Sequence, residues 1–287
     1  MVQVLEFNQL YTNKQFIHVP AVVSIGVYDG LHIGHQLIIQ TAVAYAARHD
    51  GYKTVVFTFS QNPKTMIGKN PFSKPLMTLR QSTDFFSKLG VDYLVMIDFS
   101  PDFSKLTGEM FIARLCSLFA VKAVVVGENF RCGSGAYTGP KELKEIVPRY
   151  AEGAAVIIPQ MYRLPDGTED SSTLVRTRLT QGNVSEVSAL LGRNYSVDLA
   201  PLPSKFDGFS LRFPVGSFVQ LLPPPGLYES VLIAADRSES RMTALIDEEF
   251  LTLTALSPPA LSVCSEGTER SVRFESLEFV KELSPLC

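Results

Sequence analysis

Between residues 21 and 158 the chain repeats one pattern, a short run rich in β-branched residues followed by a stretch with helical spacing. The runs are Val22–Ile25, Lys53–Phe59, Tyr93–Ile97, Val121–Val126 and Val156–Ile158. None keeps the polar–apolar alternation of a strand with one wet face, so each reads as a strand covered on both sides. Helical stretches at Gln36–Arg48, Thr78–Leu89, Gly108–Phe119 and Lys141–Tyr150 separate them. Connections long enough to hold a helix join parallel neighbours. The expected fold is therefore α/β, a doubly wound parallel sheet of the Rossmann-like kind.

Past about residue 180 the pattern changes. Val184–Leu191 reads as one helix, and prolines at 201, 203, 214 and 223–225 then punctuate short β runs at Leu227–Ala234, Met242–Ile246 and Ser271–Phe274. This predicts a second domain, a small antiparallel β-barrel. The boundaries set by these changes are 1–182 for the α/β domain, 183–196 for a linker helix and 197–287 for the barrel.

A net charge of −3 gives no electrostatic footprint for nucleic acid or a membrane surface, so any anion site must be local. Cys116, Cys132, Cys264 and Cys287 form no C-x-x-C pair, which argues against structural zinc and against a disulfide framework. The N-terminus lacks a basic region followed by an apolar stretch, and no apolar run approaches the roughly 20 residues of a membrane span. These features predict a cytoplasmic protein, favoured as a monomer, with small-molecule partners and no nucleic-acid or membrane partner.

Four segments carry chemistry. In the first, Ser24-Ile25 gives way to Gly26-Val27-Tyr28-Asp29-Gly30-Leu31-His32-Ile33-Gly34-His35. A strand–turn–helix of this kind gathers backbone N–H groups and the positive end of a helix dipole around a phosphate. Gly34 lets the backbone come close, while His32 and His35 can donate hydrogen bonds to growing negative charge. Gly26 and Gly30 frame the turn, and Asp29 can cap the helix or organise a metal-bound water. A bare His-x-x-His is usually structural; the glycines and the strand before it turn this one toward function. The second segment, Asp170-Ser171-Ser172-Thr173-Leu174-Val175-Arg176, reads as a helix start after the turn at Asp166-Gly167. Its hydroxyls can simply cap orphan N–H groups, or, with Arg176 one turn on, bind phosphate oxygens. The third, Val126-Gly127-Glu128-Asn129-Phe130-Arg131-Cys132-Gly133, closes a strand and offers Asn129 as donor and acceptor beside the apolar plane of Phe130. The fourth, Thr58-Phe59-Ser60-Gln61-Asn62-Pro63, also ends a strand and faces the same crevice if the sheet is parallel. No G-x-x-x-x-G-K-[ST] string occurs, which argues against a P-loop enzyme.

In their order, over roughly residues 15–195, these segments resemble the prokaryotic bifunctional riboflavin kinase/FMN adenylyltransferase (FAD synthetase) family. Leu190-Leu191-Gly192-Arg193-Asn194-Tyr195 is similar to its inter-domain segment. The resemblance implies an FMN adenylyltransferase that makes FAD and pyrophosphate from ATP and FMN with Mg²⁺. His32, His35, Asn129 and Arg176 would be catalytic. Gly26, Val27, Tyr28, Asp29, Gly34, Ser172 and Thr173 would bind ATP, and Phe59, Pro63, Asn129 and Phe130 would bind FMN. Ser60 and Asn62 stand where the family carries an acidic residue and a His, and Tyr28 stands for a Phe. In the second domain the family's Gly-Phe-Pro-Thr-Ala-Asn is matched only by Arg212-Phe213-Pro214-Val215-Gly216-Ser217. Val215 cannot bind a cation, so the expectation is that riboflavin kinase activity is lost. Pro223-Pro224-Pro225-Gly226-Leu227-Tyr228 resembles the family's following segment, so the barrel itself should persist. The alternatives are a bifunctional enzyme with a base such as Glu248, Glu249, Glu266, Glu269 or Glu275, a nucleotidyltransferase with another acceptor, and a non-catalytic flavin-binding protein.

Overall fold

The computed structural model of the chain describes residues 1–10, 16–60, 74–206, 209–255 and 274–285. The chain divides into two compact units, Met1–Ser73 with Leu79–Glu169, and Lys74–Thr78 with Asp170–Cys287.

The first unit is built from β1 (Gln3–Glu6), α1 (Phe7–Leu10), β2 (Pro20–Ile25), α2 (Ile33–Ala46), β3 (Lys53–Phe59), α3 (Leu79–Lys88) and β4 (Tyr93–Ile97). It continues with α4 (Pro101–Ser104), α5 (Gly108–Leu118), β5 (Ala120–Val125), α6 (Pro140–Tyr150) and β6 (Ala155–Ile157). Its six strands pair in the order β1-β4-β3-β2-β5-β6, every pair parallel. One face of the sheet, including Val23, Phe57 and Val124, packs with Phe111, Leu115 and Val147 of α5 and α6. On the other face Val22, Ala123 and Val125 pack with Ala42 and Ala46 of α2. Both faces are dry, which is why these strands read as continuous apolar runs. Burial of each such Val or Phe contributes about 1.5–3 kcal/mol.

The chain steps outward from β2 to β3 to β4, then returns to β5 on the far side of β2. Loops leaving the C-terminal ends of β2 and β5 therefore diverge, and a crevice opens at this switch point. The expected parallel sheet is present. Helix α2 begins at Ile33 rather than Gln36, because His32 already occupies the extended N-cap position, φ −63° and ψ 168°. Both histidines are thereby drawn into the helix start. Strand β1, absent from the sequence reading, is a four-residue edge strand with mostly exposed side chains.

The second unit contains α7 (Ser172–Thr180), α8 (Val184–Leu191), β7 (Tyr195–Asp198), β8 (Lys205–Phe206), β9 (Ser210–Pro214), β10 (Gly226–Ala234), β11 (Glu239–Ile246), β12 (Phe250–Ala255) and β13 (Phe274–Pro285). The strands form a seven-stranded antiparallel sheet of half-barrel form in the order β7-β13-β10-β11-β12-β9-β8. The helix read in the 183–196 linker stops at Gly192, whose φ of 66° suits glycine. Tyr195 and Ser196 then enter β7, paired to Phe279 and Glu278 of β13, so the linker's last residues belong to the sheet. By its contacts α7 groups with this unit, although its motif led the sequence reading to place it before residue 182. The stretch leading into α7 is not a sheet strand. Arg163 and Glu169 make only an isolated antiparallel bridge around the turn at Gly167. Residues 271–273 of the run read at Ser271–Phe274 lie outside the described residues.

Candidate active site

The turn after β2 is built by backbone strain and one buried hydroxyl. Gly30 and Leu31 both take left-handed conformations, φ 80° and 43°. For Leu31 this costs on the order of 1–2 kcal/mol, and its fully buried side chain holds it there. The Gln36 side-chain amide donates to the Leu31 carbonyl at 2.8 Å, and the Gln36 N–H donates to His32 O at 3.0 Å. His32 thus caps α2 by position, while Gly34 and His35 lie in its first turn, where an α-helix supplies no intrahelical acceptors for its N–H groups. The two imidazole centroids are 3.7 Å apart with planes tilted by 31°. His32 is buried, and Nδ1 of His35 is buried without a hydrogen-bond partner among the described residues. Burial first, and the neighbouring His32 second, hold the His35 pKa well below the ordinary imidazole value. His35 is therefore neutral at neutral pH.

Tyr28 closes this corner from below. Its ring meets His35 edge-on at 5.1 Å and Phe86 of α3 edge-on at 6.0 Å, and it lies where a Cβ on Gly26 would fall. Its hydroxyl is 2.6 Å from Ser24 Oγ, which donates to the Val125 carbonyl at 2.9 Å. Burial raises the Tyr28 phenol far above its usual range, so it stays protonated. Ser24 therefore ties the first segment to the end of β5. Sequence reading gave it no role, though a lone serine inside an apolar strand was the available signal. Val27 and Asp29 are half-buried in the same turn.

From β5 the third segment leaves beside the first. A Cβ on Gly127 would come within 3.0 Å of the Ile38 Cδ1 methyl of α2, so this strand end runs close to that helix. Asn129 is held by its amide, which donates to Glu169 Oε2 at 3.3 Å, while Glu169 Oε1 accepts from Arg163 at 2.9 Å. Glu128 accepts the Met161 N–H at 3.0 Å. These two glutamates anchor the loop, and their partners, 33 and 40 positions away, hid them from sequence reading. Phe59, at the end of β3, and Phe130 are both partly buried against the main core. Phe59 sits edge-on to Phe99 and Phe103 at about 6 Å. Ser60 Oγ is turned to Ile97 O at 3.4 Å. Pro63 and Asn62 lie outside the described residues.

The remaining candidates belong to the second unit. Ser171 is the N-cap of α7, its Oγ accepting the Leu174 N–H at 3.2 Å, and Ser172 and Thr173 follow in the first turn. Arg176 is buried, and its Nη2 donates to Lys74 O at 3.3 Å. Among the described residues no group of three or more His, Cys, Asp or Glu could hold a metal ion, and no helix is long and apolar enough to cross a membrane.

A family model for FAD synthetase matches residues 14–173, more than half of the chain and all of the first, third and fourth segments. The chain belongs to the FAD synthetase family. Its similarity extends to the bifunctional riboflavin kinase/FMN adenylyltransferase of Listeria monocytogenes, 26% identical over 222 residues, covering 76% of this chain and 69% of that one. The enzyme of the same description from Bacillus subtilis is 27% identical over 213 residues, covering 72% of this chain and 66% of its own. The aligned part thus spans about two thirds of these relatives. A crystal structure described as a macrolide-efflux protein from Streptococcus pneumoniae matches all of this chain and 92% of its own, with a TM-score of 0.81 and 21% identity. At that identity the likeness is one of fold. Family membership fits the switch-point geometry, which places the histidine segment and the Gly127 loop on adjacent strand ends.

Proposed function

We propose that the protein is an FMN adenylyltransferase, transferring AMP from ATP to FMN to give FAD and pyrophosphate. The observation that carries this reading is the pair of stacked imidazoles at the start of α2, set at the sheet's switch point. A phosphate oxygen of FMN attacks the α-phosphorus of ATP. The new O–P bond forms as the bond to the β-phosphate oxygen breaks, and pyrophosphate leaves. Such a transfer asks for alignment and for stabilisation of charge on the phosphoryl oxygens rather than for a covalent intermediate. His32 and His35 would supply hydrogen bonds to the triphosphate from a rigid, water-poor corner. Neutral His35 can do so without the cost of burying a charge at the start of α2. Ser172, Thr173 and Arg176 would bind phosphates. Gly26, Val27, Tyr28, Asp29 and Gly34 would frame the nucleotide, Asn129 the reacting groups, and Phe59, Pro63 and Phe130 the flavin. Asp29 would help hold the Mg²⁺ that comes with ATP, and the ion would offset negative charge on the phosphates.

The second unit supports a loss of riboflavin kinase activity. Val215 offers no side-chain oxygen to a cation, and Ser217 Oγ is turned back to Pro214 O at 2.6 Å. The test of the main reading is chromatography of the products from FMN and Mg-ATP. FAD and pyrophosphate should appear in equal amounts, and His32→Ala should slow their formation by about 100-fold or more while leaving the fold intact. FMN binding without pyrophosphate release would overturn the proposal.

A further inference from the structure

Lys74–Thr78 lies in the chain between β3 and α3 of the first unit, yet it packs with the second. Every residue of this strap is held there. Lys74 Nζ donates to Phe218 O at 2.9 Å, and Pro75 O accepts the Leu221 N–H at 2.9 Å. Met77 Sδ accepts from Arg193 at 3.2 Å, and Thr78 Oγ1 donates to Asp198 Oδ2 at 2.8 Å. Leu76, at the centre, is fully buried, and its carbonyl accepts from Gln220 Nε2 at 3.0 Å. Gln220 is itself 1% exposed. Its other amide hydrogen goes to Ser196 O at 3.2 Å, and its Oε1 accepts the Asp198 N–H at 2.7 Å. A buried amide with every valence used fixes three backbone positions at once, and removal of the amide takes one hydrogen bond from each of them. The strap's first carbonyl, Lys74 O, is the one that receives the Arg176 guanidinium.

We infer that Gln220 is a positioning residue for the phosphate-binding helix α7. It fixes Leu76, the strap keeps Lys74 O in place, and that carbonyl sets the plane of the Arg176 fork. A guanidinium is a rigid planar array of five donors, so anchoring one nitrogen orients the others. The role given to Gln220 rests on the reading of Arg176 as a phosphate ligand.

The test is calorimetric binding of Mg-ATP and of FMN to the full chain, alongside the FAD assay. Gln220→Met keeps the side-chain length and removes all three hydrogen bonds. It should weaken Mg-ATP binding by about tenfold and leave FMN binding within about twofold. Arg176→Lys should weaken Mg-ATP binding as well, and the double variant should bind no more weakly than Arg176→Lys alone, because both changes remove one function. Should Gln220→Met fail to fold, Thr78→Val removes a single strap bond and should still weaken Mg-ATP binding, by about threefold. A folded Gln220→Met or Thr78→Val with unchanged Mg-ATP affinity overturns the inference, as do losses that multiply in the double variant. If the wild type makes FAD while these variants bind Mg-ATP normally, the inference falls and the adenylyltransferase reading stands. If Mg-ATP binding depends on the strap but no FAD forms, the reverse holds. Absence of Mg-ATP binding by the wild type overturns both.

Discussion

Ser24 has one hydroxyl proton and gives it to Val125 O at 2.9 Å, so in the 2.6 Å contact with Tyr28 the phenol is the donor. The direction of that bond makes the two partners unequal. Tyr28→Phe removes a donor and leaves Ser24 with its carbonyl, which costs about 1 kcal/mol. Ser24→Ala strands a buried phenol and a buried carbonyl together, which costs about 1–3 kcal/mol. Urea unfolding should therefore rank Ser24→Ala as the more damaging change. Adding Tyr28→Phe to it should recover part of the loss, since the stranded phenol is then gone. Equal losses, or losses that simply add, would show that the pair is not coupled. A Phe at this position would keep the edge-on ring contact with His35. What Tyr28 adds in this chain is the tie through Ser24 to β5, the neighbouring strand across the switch point.

At the scale of elements, α7 separates two hydroxyl roles that the sequence left open. Ser171 caps the helix, whereas Ser172 and Thr173 stand in its first turn, where a phosphate would meet them. Ser171→Ala should lower stability by about 1 kcal/mol with a matching fall in melting temperature. Ser172→Ala should leave stability nearly unchanged and raise KM for ATP instead. The opposite assignment of effects in paired melting and steady-state measurements would reverse the roles. The elements that sequence reading found are those whose pattern is local. The buried strands β2 to β6 announce themselves as β-branched runs, and α8 as an apolar face ended by Gly192. Strand β1 is an exposed edge, and β7, β9 and β12 are only four to six residues long and partly wet, so neither composition nor periodicity separates them from turns. The same logic divides the site. His32, His35 and Gly127 are legible because glycine and histidine spacing is written within a few positions. Ser24 and Gln220 are not, because their partners Val125 and Leu76 lie 101 and 144 positions away.

At the scale of the molecule, the two units have met different demands. The first keeps a strained turn, a close pair of imidazoles and a neutral His35, features that persist only where surrounding structure holds them against their own cost. The second keeps its sheet, and the segment Arg212–Ser217 is tied into it by its own bonds. Where the family carries a glycine, the Arg212 guanidinium lies 4.4 Å over the Phe250 ring, a stacked position that gives this position a structural task. The Val215 N–H is bonded to Glu249 O at 2.8 Å, which fixes a residue with no side-chain oxygen where the resemblance would put a Thr. Repair of one position would therefore not rebuild the site. Riboflavin with Mg-ATP should yield no FMN, while FMN with Mg-ATP yields FAD in the same preparation. Val215→Thr should leave riboflavin untouched, because Arg212 and the short Ser217 remain. Chromatography that resolves the three flavins by absorbance decides the matter in one run. FMN from riboflavin in the wild-type reaction would show that another group, such as Glu248, Glu249 or Glu275, activates the ribityl hydroxyl, and that both units are enzymes. If none forms, the role proposed for the barrel is to hold the strap through its buried amide, and with it α7.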